Sequence, residues 1–186
     1  MAAVDLPGFM TDLKEHASEH GFHLHDERHF VETYSMRQTF EVDLHPEDAC
    51  GGPLDLHLAL EAEPRVLLAF EDAIMALPDG DLPEDDYHIG LSFNWSLPPL
   101  VHGPDLLVLA TDMAGIGGTE LPIEVSAIDS FFSVTDPSAR SLAIVGRIEV
   151  SLTQIVTGQE ALCGVLDRSK EVSEYLLVRS PVWLDE

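Results

Sequence analysis

Residues 37–63 read RQTFEVDLHPEDACGGPLDLHLALEAE, and the rest of the predicted fold is built around this stretch. In Phe40–Leu44, and again in Leu54–Leu60, apolar residues occupy every second position. Such a two-residue period predicts two half-buried strands, each with an apolar face and a polar face. The connection between the two predicted strands covers residues 45–53.

The remaining pattern predicts a helix near each end of the chain and further strands between them. Residues 5–21 place apolar side chains at helical spacing behind Asp5, a suitable N-cap. Thr157-Gly-Gln-Glu has the form of a capping box and predicts the start of a C-terminal helix. Tyr175–Val178 is either the end of that helix or a last strand. The other predicted strands are Arg65–Phe70, Tyr87–Leu97, Asp105–Thr111, Ile123–Val134 and Ser141–Leu152.

These elements predict an α+β fold that is mainly antiparallel, with about seven or eight strands in one curved sheet or in a two-sheet sandwich. The chain has 186 residues, 45% of them apolar, so residues 1–186 are expected to form a single domain with one sizeable core. We expect no signal peptide and no membrane span, because charged or turn-forming residues interrupt every apolar run. Two cysteines are too few for a disulfide framework, which favours a cytoplasmic protein.

The chain is strongly acidic, with 34 Asp and Glu against 9 Lys and Arg and a formal net charge of −25. Such a surface repels nucleic-acid phosphates and anionic lipids, so neither is an expected direct partner. Three interpretations of the charge stay open. It is an ordinary soluble surface, an adaptation to high salt, or a surface that binds a basic partner.

The polar faces of the two central strands carry candidate metal ligands. The register that pairs Leu44 with Leu54 sets two carboxylates opposite each other on the polar face. Opposed carboxylates need compensation, which a bound cation, a protonated histidine or a basic partner surface supplies. The predicted ligands are Glu41, Asp43, Asp55 and His57, with His45, Glu47 and Asp48 of the adjacent connection in reserve. The alternative is a solvated face whose strands pair in another register.

A second group of candidate ligands precedes the central strands. Five histidines fall within fourteen positions: His16, His20, His23, His25 and His29. Imidazole is a common transition-metal ligand, but this spacing matches no closed zinc pattern and no cysteine is near in sequence. A polar strand face beside the end of a helix is the plainer interpretation.

Sequence signatures of known enzyme classes are missing. The chain has no Gly-x-Ser-x-Gly, P-loop, dinucleotide-binding, HExxH or CxxC pattern, and no cofactor can be assigned. Catalytic residues that meet only in the folded chain leave no such pattern, so whether the protein is an enzyme stays open.

The leading hypothesis is a non-catalytic, acidic module that binds another protein, with a basic partner and self-association as its expected modes. Charge imbalance and the missing catalytic signatures motivate it. The alternative is a metal-binding protein or metal-dependent enzyme that uses the carboxylates and His57 of the central strands, or the histidine-rich segment before them.

Overall fold

The computed structural model of the protein describes residues 4–78, 80–131 and 139–184. Within these ranges the chain forms six strands and five α-helices. In chain order they are α1 (Leu6–Glu19), β1 (Phe22–Val31), β2 (Gln38–Pro46), β3 (Asp55–Ala62), α2 (Pro64–Ala76), β4 (His88–Ser96), α3 (Leu106–Gly117), β5 (Ile123–Ser130), β6 (Ala139–Ser151), α4 (Leu152–Thr157) and α5 (Cys163–Leu184). None of the described helices combines the length and the apolar character that crossing a membrane requires.

The six strands form one antiparallel sheet in the order β1-β2-β3-β4-β6-β5. In sequence, α1 precedes the sheet and α5 follows it. The predicted α+β class, with its mainly antiparallel sheet and a helix near each end, is therefore confirmed. The described strands form one sheet and not a sandwich. The described residues form fewer strands than the seven or eight predicted, and two segments predicted as strands are helical.

The first of these segments, Arg65–Phe70, is part of α2. Pro64 occupies the first helical position, where its missing N–H leaves no hydrogen bond unmade. The side chains of α2 that reach the core recur at helical spacing, and they are Val66, Leu67, Phe70 and Ile74. A six-residue apolar run is too short to reveal that period, so sequence alone could not separate strand from helix here.

The second segment, Asp105–Thr111, lies at the start of α3. The Asp105 carboxylate accepts hydrogen bonds from two backbone N–H groups of the first turn, at 2.9 and 3.1 Å, which is the geometry of an N-cap. Leu109 and Met113, four positions apart, are buried on one side of the helix. Asp105, which the pattern predicts as the first residue of a strand, is therefore a helix cap.

The C-terminal helix also differs from its prediction. Thr157 is the last residue of α4, and Gly158 ends that helix with a φ of +62°. The Thr-x-x-Glu pattern is therefore not a capping box. The long helix α5 begins five residues after Gly158, includes Tyr175–Val178, and passes through Pro181.

The remaining strand predictions hold within the described ranges. Tyr87–Leu97, Ile123–Val134 and Ser141–Leu152 correspond to β4, β5 and β6. The last two pair with each other in antiparallel fashion. Residues 132–138, which include the predicted end of the first strand of that pair, lie outside the described part of the chain.

The central strand pair exists, but its register differs from the predicted one by two residues. Leu44 lies opposite Leu56 and not opposite Leu54. The cause is that β2 continues through Pro46, so the connection to β3 covers 47–54 instead of 45–53. Because side chains alternate with a period of two, every residue keeps its predicted face while every cross-strand partner changes.

The two faces of the sheet have different surroundings. Met10 and Leu13 of α1 and Leu58 of β3 are each at most 2% exposed, and belong to the core that the helices form on one face. The indole N–H of Trp95 on β4 donates a 2.9 Å hydrogen bond to Ser173 Oγ of α5 on the same face. The opposite face carries polar residues, and a groove of about 740 Å³ on it is lined by residues of β2, β3, β4 and β6 alone.

Burial of the apolar face predicts that the core leucines contribute most of the stability. Leu60 on β3 is 0% exposed, so we expect Leu60→Ala to lower the free energy of unfolding by about 2–5 kcal/mol. Leu68→Ala on α2 is the matched control, because Leu68 is 60% exposed and should change the free energy by less than about 0.5 kcal/mol. Urea denaturation of both variants measures the difference. Equal losses would contradict the burial of Leu60 and the exposure of Leu68.

Candidate metal centre

Four potential metal ligands converge where β1, β2 and the β2–β3 connection meet. They are His23, His25, His45 and Cys50, and one ligand atom from each lies within 4.8 Å of all the others. The imidazole rings are packed together, with centroid separations of 4.9 Å for His23–His25 and 4.4 Å for His25–His45. Three segments of backbone therefore contribute donors to one small volume.

The pairing of β1 with β2 brings the three histidines together. His23 lies directly opposite His45 in the antiparallel register. The register then shifts between Leu24 and Asp26, so His25 is the extra residue of a β-bulge. A bulge re-aims a side chain and leaves two residues of one strand opposite one residue of the other. This is how His23 and His25 both reach His45.

His45 is the most firmly held of the four. It is 8% exposed, and its Nδ1 lies 3.0 Å from the backbone carbonyl oxygen of Pro46. A carbonyl oxygen can only accept, so Nδ1 must carry the proton and donate it. In the neutral ring the lone pair is then on Nε2, the atom that faces the cluster. Metal-bound histidines are commonly oriented by such a hydrogen bond from the other ring nitrogen.

Nε2 of His45 lies only 2.5 Å from Nε2 of His25. In the neutral His45 ring Nε2 carries the lone pair, so it accepts a hydrogen bond from the Nε2–H of His25. Two nitrogens bound to tetrahedral zinc are about 3.3 Å apart, so the rings would separate by roughly 0.8 Å around such an ion. A movement of that size is within the reach of the exposed His25 side chain.

A tight turn after β2 positions Cys50. The backbone N–H of Glu47 donates to the Gly21 carbonyl at 3.0 Å, which ties the turn to the start of β1. Gly51 then adopts a φ of +77°, a conformation that suits glycine, and the chain reverses. The exposed thiol of Cys50 ends 3.2 Å from Nδ1 of His23.

Sequence reasoning identified only part of this cluster. It grouped His23 and His25 with three other histidines, of which His20 instead contacts Asp167 at 2.6 Å and His29 stacks on a phenylalanine. The sequence pattern gives His45 only a reserve role at a different site, and it does not include Cys50, because no cysteine is near the histidine-rich segment in sequence. The signal that could have found them was the antiparallel pairing of the histidine-rich strand with the next strand.

The predicted carboxylate–histidine set is only partly assembled. Asp43 lies opposite His57, whose Nδ1–H donates to the Asp43 carboxylate at 2.7 Å. Nε2 of His57 is 3.6 Å from Glu41. The predicted pairing of Asp43 with Asp55 is wrong, because of the two-residue difference in register.

Arg28 supplies the charge compensation that these carboxylates need. Its Nη2 donates to both oxygens of Asp43, at 2.9 and 2.8 Å, and its Nε lies 3.4 Å from a Glu41 oxygen. The bulge at His25 is what places Arg28 on the polar face beside them. A fixed guanidinium therefore stands among three of the four predicted ligands. Of the reserve residues, Glu47 is exposed, and the side chain of Asp48 lies outside the described part of the structure.

Asp55 lines the same cavity as two histidines of the cluster. Extending the β2–β3 register by one residue beyond Leu44–Leu56 places Asp55 across from His45. Both side chains line a cavity of about 560 Å³, together with His25, Asp43 and His57. The structure thus relates the two predicted groups of ligands through one cavity.

Three imidazoles and one thiol suit zinc and other borderline or soft transition-metal ions, whereas magnesium and calcium prefer oxygen ligands. No family model matches the chain, and neither a curated protein nor a solved structure is significantly similar to it.

Proposed function

We propose that this protein binds a divalent transition-metal ion, zinc foremost, through His23, His25, His45 and Cys50. The observation that carries the proposal is the convergence of four donor atoms, from three backbone segments, within 4.8 Å of one another. Histidine and cysteine are the two residue types that zinc prefers, and four donors fit its usual tetrahedral coordination.

Electrostatics supports the same proposal. Three neutral imidazoles and one thiolate place a single negative charge against the two positive charges of the ion. The resulting positive centre sits on a chain with a formal net charge of −25, which attracts cations from a distance. A thiolate ligand also requires a free cysteine, and neither Cys50 nor Cys163 forms a disulfide. We therefore keep the cytoplasm, a reducing compartment, as the proposed location.

The set predicted from the sequence, Glu41, Asp43, Asp55 and His57, stays a second candidate for the same kind of function. A metal bound there would have to displace Arg28 from Asp43, which accepts two hydrogen bonds from it. Within the described residues, no arginine or lysine forms a hydrogen bond or ion pair with the four members of the histidine–cysteine cluster, whose contacts are with one another and with a backbone carbonyl. This difference is why we place the ion at the cluster.

We expect untagged protein to bind one cobalt or zinc ion per chain, and His45→Ala to abolish this binding. Removing a hydrogen bond that merely supports a ligand costs about 10- to 100-fold in affinity, so losing the ligand itself should cost more. His16→Ala is the matched control, since His16 lies on α1 outside the cluster. Cobalt titration followed by visible absorbance measures the affinity and the stoichiometry.

Cysteine variants identify the thiolate in the same titration. Cys50→Ser should remove the near-ultraviolet sulfur-to-cobalt absorption, and Cys163→Ser should keep it. If Asp43→Asn abolishes binding while His45→Ala does not, the ion belongs to the carboxylate–histidine set. Protein that binds no transition metal at all removes both candidates.

Zinc should also raise the melting temperature, since the ion joins β1, β2 and the connection after β2 in the folded chain only. Binding linkage stabilises the folded state by about 2.7 kcal/mol when the free ion is at 100 times its dissociation constant. Differential scanning calorimetry with zinc, and with magnesium as the control ion, measures the shift. A shift of equal size in His45→Ala would mean that the ion acts elsewhere.

The polar groove supports a second candidate function, the binding of a basic protein segment. It carries three carboxylates, Glu41, Glu61 and Glu149, against one arginine, Arg147. Its floor includes Ala59 and Gly90, whose small size lets a backbone approach the sheet. The sequence-based hypothesis of an acidic interaction module would be realised on this surface.

A lysine- and arginine-rich peptide should bind the groove with an affinity that falls as salt is added. We expect the double variant Glu61→Gln/Glu149→Gln to weaken binding, as measured by fluorescence anisotropy. Glu19→Gln/Glu174→Gln removes the same charge from two exposed helical positions and is the control. Equal weakening by both double variants would mean that the overall charge of the protein, and not the groove, determines peptide binding. Sedimentation equilibrium tests the expected self-association independently.

A further inference from the structure

Helix α2 carries an exposed stripe of mostly apolar side chains along its length. Six of its residues are exposed, and because they recur every three or four positions they share one side of the helix. They are Arg65, Leu68, Ala69, Asp72, Met75 and Ala76. Leu68 is 60% exposed and Met75 is 75% exposed, whereas Phe70 on the opposite side is 0% exposed. Four of the six side chains that α2 turns away from the core are therefore apolar.

An apolar groove lies beside this stripe and enlarges the apolar surface. It has a volume of about 400 Å³ and is lined by residues of α2, of the start of α1 and of the start of β2. Leu68 and Met36 are among its lining residues, and Glu71 is the charged one. Met36 is itself 57% exposed. Burial of such surface is the main driving force of association between proteins.

The two charged members of the stripe have opposite signs and no partner. Neither Arg65 nor Asp72 forms a hydrogen bond or an ion pair with any residue in the described part of the chain. An arginine without a carboxylate partner is unexpected in a chain with 34 acidic and 9 basic residues, and the nearby Arg37 does pair with Glu63. The stripe therefore has no net charge, although the chain has a formal net charge of −25.

The stripe is complementary to itself. Arg65 and Asp72 lie at equal distances on either side of the midpoint between Leu68 and Ala69, about 10.5 Å apart along the axis at 1.5 Å per residue. Two such helices packed antiparallel about that midpoint would set each arginine opposite the aspartate of the other copy. A parallel arrangement would instead oppose like charges. Two-fold dimers are built in this reciprocal way, from the same surface of both subunits.

We propose that a second copy of this chain covers the stripe, in a two-fold dimer whose α2 helices pack antiparallel. Leu68 and Ala69 lie at its centre, with one Arg65–Asp72 ion pair on either side. Two copies that each carry a charge of −25 repel one another, so a surface without net charge lets them meet at a lower electrostatic cost than an acidic one. This inference does not depend on a metal at the histidine–cysteine cluster.

Sedimentation equilibrium of untagged protein in EDTA tests the proposal, with the chelator present because a bridging metal ion would also join chains. We expect a reversible dimer. Leu68→Ala should raise its dissociation constant by at least about tenfold, since each dimer loses two apolar side chains from its centre. Val182→Ala on α5, at a position 72% exposed, is the matched control. Leu68 is exposed in the single chain, so its variant should fold normally and lose association alone.

Charge reversal tests the antiparallel pairing. Arg65→Asp makes the stripe acidic and Asp72→Arg makes it basic, so each variant alone should be monomeric at concentrations where the wild type is a dimer. A mixture of the two variants should form a heterodimer, because an acidic stripe then meets a basic one. Glu174→Arg, at an exposed position of α5, makes the same change in charge as Asp72→Arg and should leave the dimer intact.

Three outcomes would overturn the inference. The first is a wild-type chain that stays monomeric at millimolar concentration. The second is a dimer that Leu68→Ala and both charge reversals leave intact, since that dimer would use another surface. The third is a pair of monomeric variants that do not associate on mixing, which rules out the antiparallel pairing. All measurements are made without metal, so the metal proposal stands or falls separately.

Discussion

The pairing of β1 with β2 is the constraint on which both polar clusters of this protein depend. Before the bulge it sets His23 opposite His45, and after the bulge it sets Arg28 opposite Glu41. The pairing is anchored on the other face, where Phe22 and Leu44 are buried in the core. Burial of apolar side chains on one face thus determines which polar side chains meet on the other, since a slip by one residue would exchange the faces.

The two polar clusters differ in the charge of their side chains. Around Asp43 the chain supplies its own cation, because Arg28 reaches across from β1 and His57 adds a hydrogen bond. Around His45 the donors are uncharged rings and one thiol, with no carboxylate and no arginine among the four. The charges of the first cluster are balanced within the chain, while the second brings four potential metal-donor atoms within 4.8 Å of one another. That contrast, more than the number of potential ligands, distinguishes the ion-paired cluster around Asp43 from the candidate metal centre.

Much of this arrangement follows from side-chain periodicity, and the rest depends on contacts between distant segments. Alternation around Val42 and Leu58 predicts the buried face correctly, because burial repeats every two residues in any register. The register depends on where the connection between β2 and β3 begins. No local sequence pattern indicates that β2 continues through Pro46. The helical spacing of apolar residues in Arg65–Phe70 becomes recognisable only when the full length of α2 is considered. Cys50 contacts His23 because the pairing of β1 with β2 brings the turn after β2 beside the start of β1. No spacing rule along the sequence predicts this contact.

The pairing of β1 with β2 would be regular without the bulge residue His25. Leu24 pairs with Leu44 and Asp26 pairs with Asp43, two adjacent positions on β2. Joining Leu24 directly to Asp26 would therefore leave every other pair of this strand in place and keep each side chain on its present face. The sheet has no architectural need for the residue between them, and a chain shortened by that one position would be the more regular β protein. What such a shorter chain would lack is the imidazole beside the cavity.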